Sequence, residues 1–151
     1  MKVVLLTGSH PRHLFLARTL HQAGLLDGLL IEQREQFVPK PPPHLNQTDH
    51  DNFIRHFHDR DEAEQKFFGN SSDVSLGVPV LKVEKNELNS ETTKKWIAAQ
   101  KADVVITYGV HKISNDMLEA FRFHSWNIHG GLSPWFRGNI TLFWPFYFLK
   151  P

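Results

Sequence analysis

The sequence predicts an α/β protein with one open, mostly parallel sheet in Rossmann-like order. Short apolar runs alternate along the chain with segments of helical periodicity, which is the pattern of repeated strand–helix–strand units. The first such unit occupies about the first 32 residues. Ligands bind beyond the carboxyl ends of the strands in such sheets, so we expect the functional residues to follow the strands directly.

Five strands and five helices are predicted from this alternation. A proline-rich surface loop spans 37–45, Ser9 and Ser114 are expected to cap helices, and Pro79 places the third strand at a sheet edge. In chain order the segments are strand 2–7, a helix between 11 and 24, strand 28–32, helix 46–68, strand 78–83, helix 90–101, strand 103–107, helix 114–121, strand 123–129 and helix 139–149.

The composition is that of an ordinary globular domain and excludes several classes of function. The chain has 151 residues, of which 40% are hydrophobic and 22% charged. A net charge of +1 provides no broad basic field for nucleic acid. The absence of cysteine removes thiolate catalysis and cysteine-based zinc sites, and it favours a reducing cytoplasm. No apolar run reaches the roughly 18–20 residues of a membrane span, so no membrane partner is expected.

Asn127 and His129 lie two residues apart at the end of the fifth strand, which places both side chains on one side of it. An amide that donates a hydrogen bond and an imidazole that moves a proton are the groups that acyl transfer to an amine requires. Gly130 and Gly131 follow and let the backbone approach a ligand closely. Taken alone, the pair also fits a histidine that is satisfied by packing.

The whole segment 127–138 resembles the signature of the folate-dependent formyltransferase family, which acts on glycinamide ribonucleotide, methionyl-tRNA and sugar nucleotides. The family pattern is Asn-x-His, a short turn, Leu-Leu-Pro, an aromatic residue and Arg-Gly. The sequence departs from it at Gly130, where Pro is common, and at Ser133, where Leu is common. It keeps Asn127, His129, Leu132, Pro134, Arg137 and Gly138.

The resemblance implies a role for each matching residue. Asn127 would stabilise the developing oxyanion, His129 would be the catalytic imidazole, and Arg137 and Gly138 would shape the loop beside the formyl donor. That donor is 10-formyltetrahydrofolate in the family, and its pterin lies against the loop after the fourth strand. An ordinary surface loop is the alternative for this segment. The cofactor-binding residues expected there are Tyr108, Gly109, Val110, His111 and Ile113.

The family's third catalytic group, an aspartate in a later segment, has no counterpart in the sequence. We therefore interpret residues 1–151 as a formyltransferase-like catalytic domain that is truncated at its C-terminal end. The alternative is a remnant that binds a ligand or a partner without catalysis. Five aromatic residues lie between 140 and 149. We expect later residues or a partner chain to cover them, which makes an oligomer through this segment one outcome.

A small-molecule amine is the expected acceptor, and a nucleotide-linked amino sugar is one candidate. A tRNA acceptor is disfavoured because the chain has no strongly basic surface. A hydrolase that uses water in place of an amine stays open, as does an unrelated α/β ligand-binding domain. The turn 8–13 contains Arg12 at a helix N-terminus and is either an anion site or a plain turn capped by Ser9.

One face of the helix 46–68 carries His56, Arg60 and Glu64 at intervals of four residues. This face is either a polar network near a pocket or a solvated, ion-paired surface. The nearby histidines do not predict a metal site, because His56 and His58 point apart on a helix and no His-Glu-x-x-His motif is present.

Overall fold

Five parallel strands form one sheet in the computed structural model, which describes residues 1–33, 39–69, 75–121, 124–136, 138, 145 and 148. The elements are β1 Val3–Gly8, α1 Pro11–Gln22, β2 Leu26–Glu32, α2 Gln47–Phe68, β3 Val80–Val83, α3 Glu91–Ala99, β4 Val104–Tyr108, α4 Asn115–Ala120 and β5 His124–Ile128. The strand order is β3-β2-β1-β4-β5, and all four pairings are parallel. The predicted α/β class and Rossmann-like order are therefore confirmed.

The predicted strands and the first four helices are all present, with bounds within a few residues. The third strand lies at a sheet edge, as Pro79 indicated. The prediction that Ser9 caps α1 was wrong. The helix begins after His10, whose side chain makes no cap hydrogen bond, and Pro11 occupies the first turn. Ser114 caps α4 as predicted, since its hydroxyl accepts from the backbone N–H of Met117. The helix predicted at 139–149 lies outside the described residues.

Apolar residues cover both faces of the sheet because its central strands are buried on both sides. On one face Leu5, Leu29 and Ile31 pack against Leu14 and Ala17 of α1. The opposite face packs against α3, α4 and their flanking segments, with this core: Val4, Leu6, Leu30, Val83, Leu88, Ile97, Ala102, Val105, Met117 and Phe121. Within the described residues, no helix is both long and apolar enough to cross a membrane.

His13 joins the loops that follow β1 and β4. The ring is only 3% exposed and packs edge-on against Tyr108, with ring centroids 4.7 Å apart. A Cβ atom on Gly8 would lie 2.5 Å from His13 Nδ1, and one on Gly109 would lie 2.6 Å from His13 Cε1. Both glycines are therefore required by a buried side chain, and the two loops are held together at the carboxyl edge of the sheet.

Candidate functional site

A cavity of about 560 Å³ lies at the carboxyl ends of β4 and β5. The fold places it there because parallel strands present their carboxyl ends at one edge of the sheet. The cavity brings together the end of β5, the loop between β4 and α4, and the glycine-rich loop after β5. Its lining residues are Thr107, Val110, His111, Lys112, Ile113, Leu118, Phe121, Ser125, Trp126, Asn127, His129 and Gly138.

Asn127 is the next-to-last residue of β5 and lines this cavity. It lies directly opposite Thr107 in the parallel pairing of β4 and β5. The Thr107 hydroxyl donates a hydrogen bond to Asn127 Oδ1 at 2.9 Å. With this bond the acceptor atom of the amide, Oδ1, faces Thr107. The Nδ2 group of Asn127 is left as the donor that an oxyanion would need.

His129 follows β5 and lines the same cavity as Asn127. Its Nδ1 is 3.0 Å from the carbonyl oxygen of Gly131, and its Nε2 is 3.3 Å from that of Gly138. Carbonyl oxygens only accept hydrogen bonds, so a neutral ring donates to one of them and a protonated ring donates to both.

The loop between β4 and α4 contributes only part of the predicted cofactor-binding set to the cavity. Val110, His111 and Ile113 line it, whereas Tyr108 and Gly109 are not among its described lining residues. These two pack against His13 instead, because Gly109 leaves the space that the buried ring fills. Gly138 lines the cavity, and Arg137 lies outside the described residues. The functional role of each residue stays a prediction.

A buried carboxylate lies behind the cavity wall. Glu32, the last residue of β2, has no exposed surface and accepts two hydrogen bonds from His111. The backbone N–H of His111 bonds to Oε2 at 2.8 Å, and His111 Nδ1 lies 2.6 Å from Oε1. The Glu32 side chain therefore spans the end of β1, the strand between β2 and β4. It binds His111 in the loop between β4 and α4, which lines the cavity.

Glu32, Thr107 and Lys112 were not predicted as site residues, and neither were Leu118, Phe121, Ser125 and Trp126 of the cavity lining. Glu32 directly follows the apolar residues 29–31 at the end of β2, Thr107 is a polar residue near the end of β4, and Lys112 lines the cavity within the predicted loop. A charged residue at the carboxyl end of a buried strand was a usable signal for Glu32. Thr107 could be identified only from the register of β4 against β5, which the sequence does not specify.

The face of α2 that carries His56, Arg60 and Glu64 forms a polar contact with α1 rather than a solvated surface. Glu64 is 7% exposed, and its carboxylate binds the guanidinium of Arg12 and accepts from the Arg12 backbone N–H at 3.3 Å. Burial and the charge of Arg12 lower the pKa of the half-buried Arg60. His56 is exposed and lies edge-on to Phe57. A network exists here, but it excludes His56.

Replacing Arg12 with methionine is expected to destabilise the fold by about 2–3 kcal/mol, because it leaves the Glu64 carboxylate buried without its main partner. The loss of stability should be smaller than that of a fully buried ion pair, because the Arg12 side chain is 34% exposed. Urea unfolding measures it. Lys94→Met is the matched control: its partner Glu91 is exposed, and the expected change is below about 0.5 kcal/mol. Equal losses in the two variants would contradict this account.

One group of side chains in the described part of the chain has ligand atoms close enough to hold a metal ion. The ligand atoms of His58, Asp59 and Glu62 lie within 4.8 Å of one another. All three side chains are exposed on α2, and His58 faces Asp59 at 3.8 Å and Glu62 at 3.7 Å as in a surface ion pair. Exposed groups of this kind are common without an ion, so we assign no metal to them.

The sheet order is that of a Rossmann-like α/β fold, and this fold is similar to that of solved formyltransferase structures. The resemblance inferred from residues 127–138 is thereby confirmed at the level of the fold. No protein-family model matches the sequence, and no curated protein matches it either.

Two solved structures carry this comparison. Phosphoribosylglycinamide formyltransferase from Anaplasma phagocytophilum superposes with a TM-score of 0.60 at 16% identity, over 97% of this chain and 58% of that one. Glycinamide ribonucleotide transformylase 1 from Symbiobacterium toebii gives a TM-score of 0.54 at 17% identity, over 97% of this chain and 59% of that one. The chain thus spans somewhat more than half the length of these proteins.

Proposed function

We propose that this chain binds a formyl-folate donor, 10-formyltetrahydrofolate, and transfers its formyl group to the amine of a small molecule. The observation that carries the proposal is the arrangement of Asn127 and His129 around one cavity whose other wall is the loop between β4 and α4. The formyltransferase-type fold supports it, because this cavity occupies the strand-end position at which such sheets bind ligands.

The chemistry follows from the groups that line the cavity. An amine nitrogen attacks the formyl carbon, and the carbonyl oxygen becomes an oxyanion that the Asn127 amide stabilises by donating a hydrogen bond. The Thr107 hydroxyl holds Asn127 in the orientation this requires. The His129 imidazole accepts or returns a proton as the bond to the donor nitrogen breaks. Val110 and Ile113 give the donor's ring system an apolar surface beside Asn127 and His129.

The acceptor in this proposal is a small molecule such as a nucleotide-linked amino sugar or glycinamide ribonucleotide, the latter because both similar structures are named for it. A net charge of +1 disfavours a tRNA acceptor. The cysteine-free composition fits a reducing cytoplasm as the place of action.

Binding without catalysis is the second candidate, and one observation favours it. No aspartate or glutamate is among the described residues that line the cavity, although carboxylates commonly orient a catalytic histidine. On this alternative the chain recognises the folate and carries out no transfer.

A transfer assay separates the two candidates. The full chain is incubated with 10-formyltetrahydrofolate and either glycinamide ribonucleotide or UDP-linked amino-arabinose, and mass spectrometry detects the formylated acceptor. His129→Ala is expected to lower the rate about 10²–10⁴-fold, the usual contribution of one proton-transfer group. His124→Ala, an exposed histidine at the other end of β5, is the control and should leave the rate unchanged.

Calorimetric titration with 5-formyltetrahydrofolate completes the test. Saturable binding without transfer would select the binding-only alternative. A folded chain that neither binds the folate nor transfers the formyl group would exclude both candidates.

A further inference from the structure

The cavity contains a second imidazole that the proposed chemistry does not yet use. His111 lines the cavity with 27% of its side chain exposed, and its other side contacts the fully buried Glu32. The pair resembles the carboxylate–histidine unit whose carboxylate orients the ring in many acyl-transfer sites. Here both members come from segments that precede β5, so the pair is complete within the described residues.

An ionised Glu32 would assign the ring proton of His111 to one nitrogen. An ionised carboxylate only accepts hydrogen bonds, so at 2.6 Å from Glu32 Oε1 the Nδ1 atom must be the donor. The neutral ring then has its basic lone pair on Nε2. Glu32 Oε2 accepts at the same time from the backbone N–H of His111, which fixes the loop as well as the ring. Both carboxylate oxygens are engaged by one residue.

We infer that His111 is the proton acceptor for the incoming amine and that Glu32 is its positioning residue. This inference rests on the proposed function and adds a second proton-transfer group to it. As the amine nitrogen bonds to the formyl carbon, one N–H proton passes to His111 Nε2 and the carbonyl electrons move to oxygen. Reformation of the carbonyl breaks the bond to the donor nitrogen, which takes the proton that His129 returns. His111 then releases its proton to solvent and His129 regains one from solvent, so both rings return to their starting states.

The charges around the ring support a base at this position. Glu32 faces the ring with a charge opposite to that of an imidazolium, whereas Lys112, a cation that lines the same cavity, has no lone pair with which to accept a proton. A pair with a purely structural role would not need to open onto the cavity. The backbone hydrogen bond to Oε2 anchors the loop, and 27% of the His111 side chain is exposed beside the cavity.

His111→Asn tests the base directly. The asparagine amide can donate to Glu32 Oε1 in place of Nδ1, and the backbone bond to Oε2 is retained, so the fold should keep its thermal unfolding midpoint. The basic Nε2 is lost. We expect kcat/KM for transfer from 10-formyltetrahydrofolate to glycinamide ribonucleotide or UDP-linked amino-arabinose to fall about 10²–10⁴-fold. His124→Asn, the same change on an exposed histidine outside the cavity, is the control.

Glu32→Gln tests the positioning role through a spectroscopic signature. Glutamine has one accepting oxygen, which the backbone N–H of His111 occupies, and its amide nitrogen then donates to Nδ1. The ring proton should move from Nδ1 in the unaltered chain to Nε2 in the variant, and nitrogen NMR of the imidazole reports this directly. A ring that is protonated on Nε2 in the unaltered chain would overturn the positioning role.

The outcomes separate this inference from the function on which it rests. Transfer by the unaltered chain that His111→Asn leaves intact would overturn the role of His111 and leave the proposed function standing. A folded unaltered chain that formylates neither acceptor would remove the proposed function and this inference together. Loss of transfer in His111→Asn, with folding and 5-formyltetrahydrofolate binding preserved, is the expected result.

Discussion

Gly109→Ala is expected to destabilise the protein by about 2–4 kcal/mol in urea unfolding. Two effects add. Gly109 has a φ of +68°, a conformation that strains an alanine by roughly 1 kcal/mol. The added Cβ would also lie 2.6 Å from His13 Cε1 and closer still to Nε2, and forcing atoms into a packed site typically adds about 1–3 kcal/mol. His13 is buried against Tyr108 and has little room to move.

Gly24→Ala is a closely matched control for this prediction. Gly24 has a φ of +67°, almost the same as Gly109, but a Cβ there would meet no atom within 4 Å. Only the backbone strain of roughly 1 kcal/mol is therefore expected. The difference between the two variants isolates the overlap with His13. Equal losses would mean that the His13 ring does not occupy the space beside Gly109.

A double variant sharpens the same test. In His13→Ser the space opposite Gly109 is empty, so adding Gly109→Ala should cost only the backbone strain. The coupling energy between the two positions is expected to be about 1–3 kcal/mol, the range for residues in direct contact. A coupling near zero would contradict the packing of His13 between the two loops.

The fold could be predicted well from the sequence because its local signals agree with one another. Apolar runs such as Val3–Gly8 are too short and too β-branched for helices, and Asn46, Ser90 and Ser114 each stand where a helix begins. Ser9 misled because Pro11 sets the first turn by itself, and α1 starts without a side-chain cap. Residue propensity identifies a side chain that can cap a helix, whereas the residue at which the helix actually begins decides whether that side chain caps it.

The candidate site was predictable only where its residues are close in sequence. Asn127 and His129 follow from the period of one strand, and the structure does bring both to one cavity. Glu32 and His111 are 79 positions apart, and their contact depends on the strand order that places β1 between β2 and β4. The same reasoning accounts for the contacts of His13 with Tyr108 and Gly109. Contacts between residues this far apart in sequence can be identified only once the strand order of the sheet is known.

Asn127→Asp is expected to lower the rate of formyl transfer about 10²–10³-fold, equivalent to roughly 2.7–4 kcal/mol of transition-state stabilisation. The change is nearly isosteric, and the Thr107 hydroxyl can still donate to the carboxylate, so the side chain should keep its place. What disappears is the Nδ2 donor, and a negative charge then faces the developing oxyanion. Initial rates with 10-formyltetrahydrofolate measure the loss.

Asn115→Asp makes the same chemical change on an exposed residue at the start of α4, outside the cavity lining, and should leave the rate unaltered. Binding of 5-formyltetrahydrofolate by Asn127→Asp should weaken far less than turnover, because the lost interaction is strongest in the transition state. A fall in rate that is matched by an equal fall in affinity would assign Asn127 to donor binding. A rate within a few-fold of the unaltered chain would mean that another donor stabilises the oxyanion.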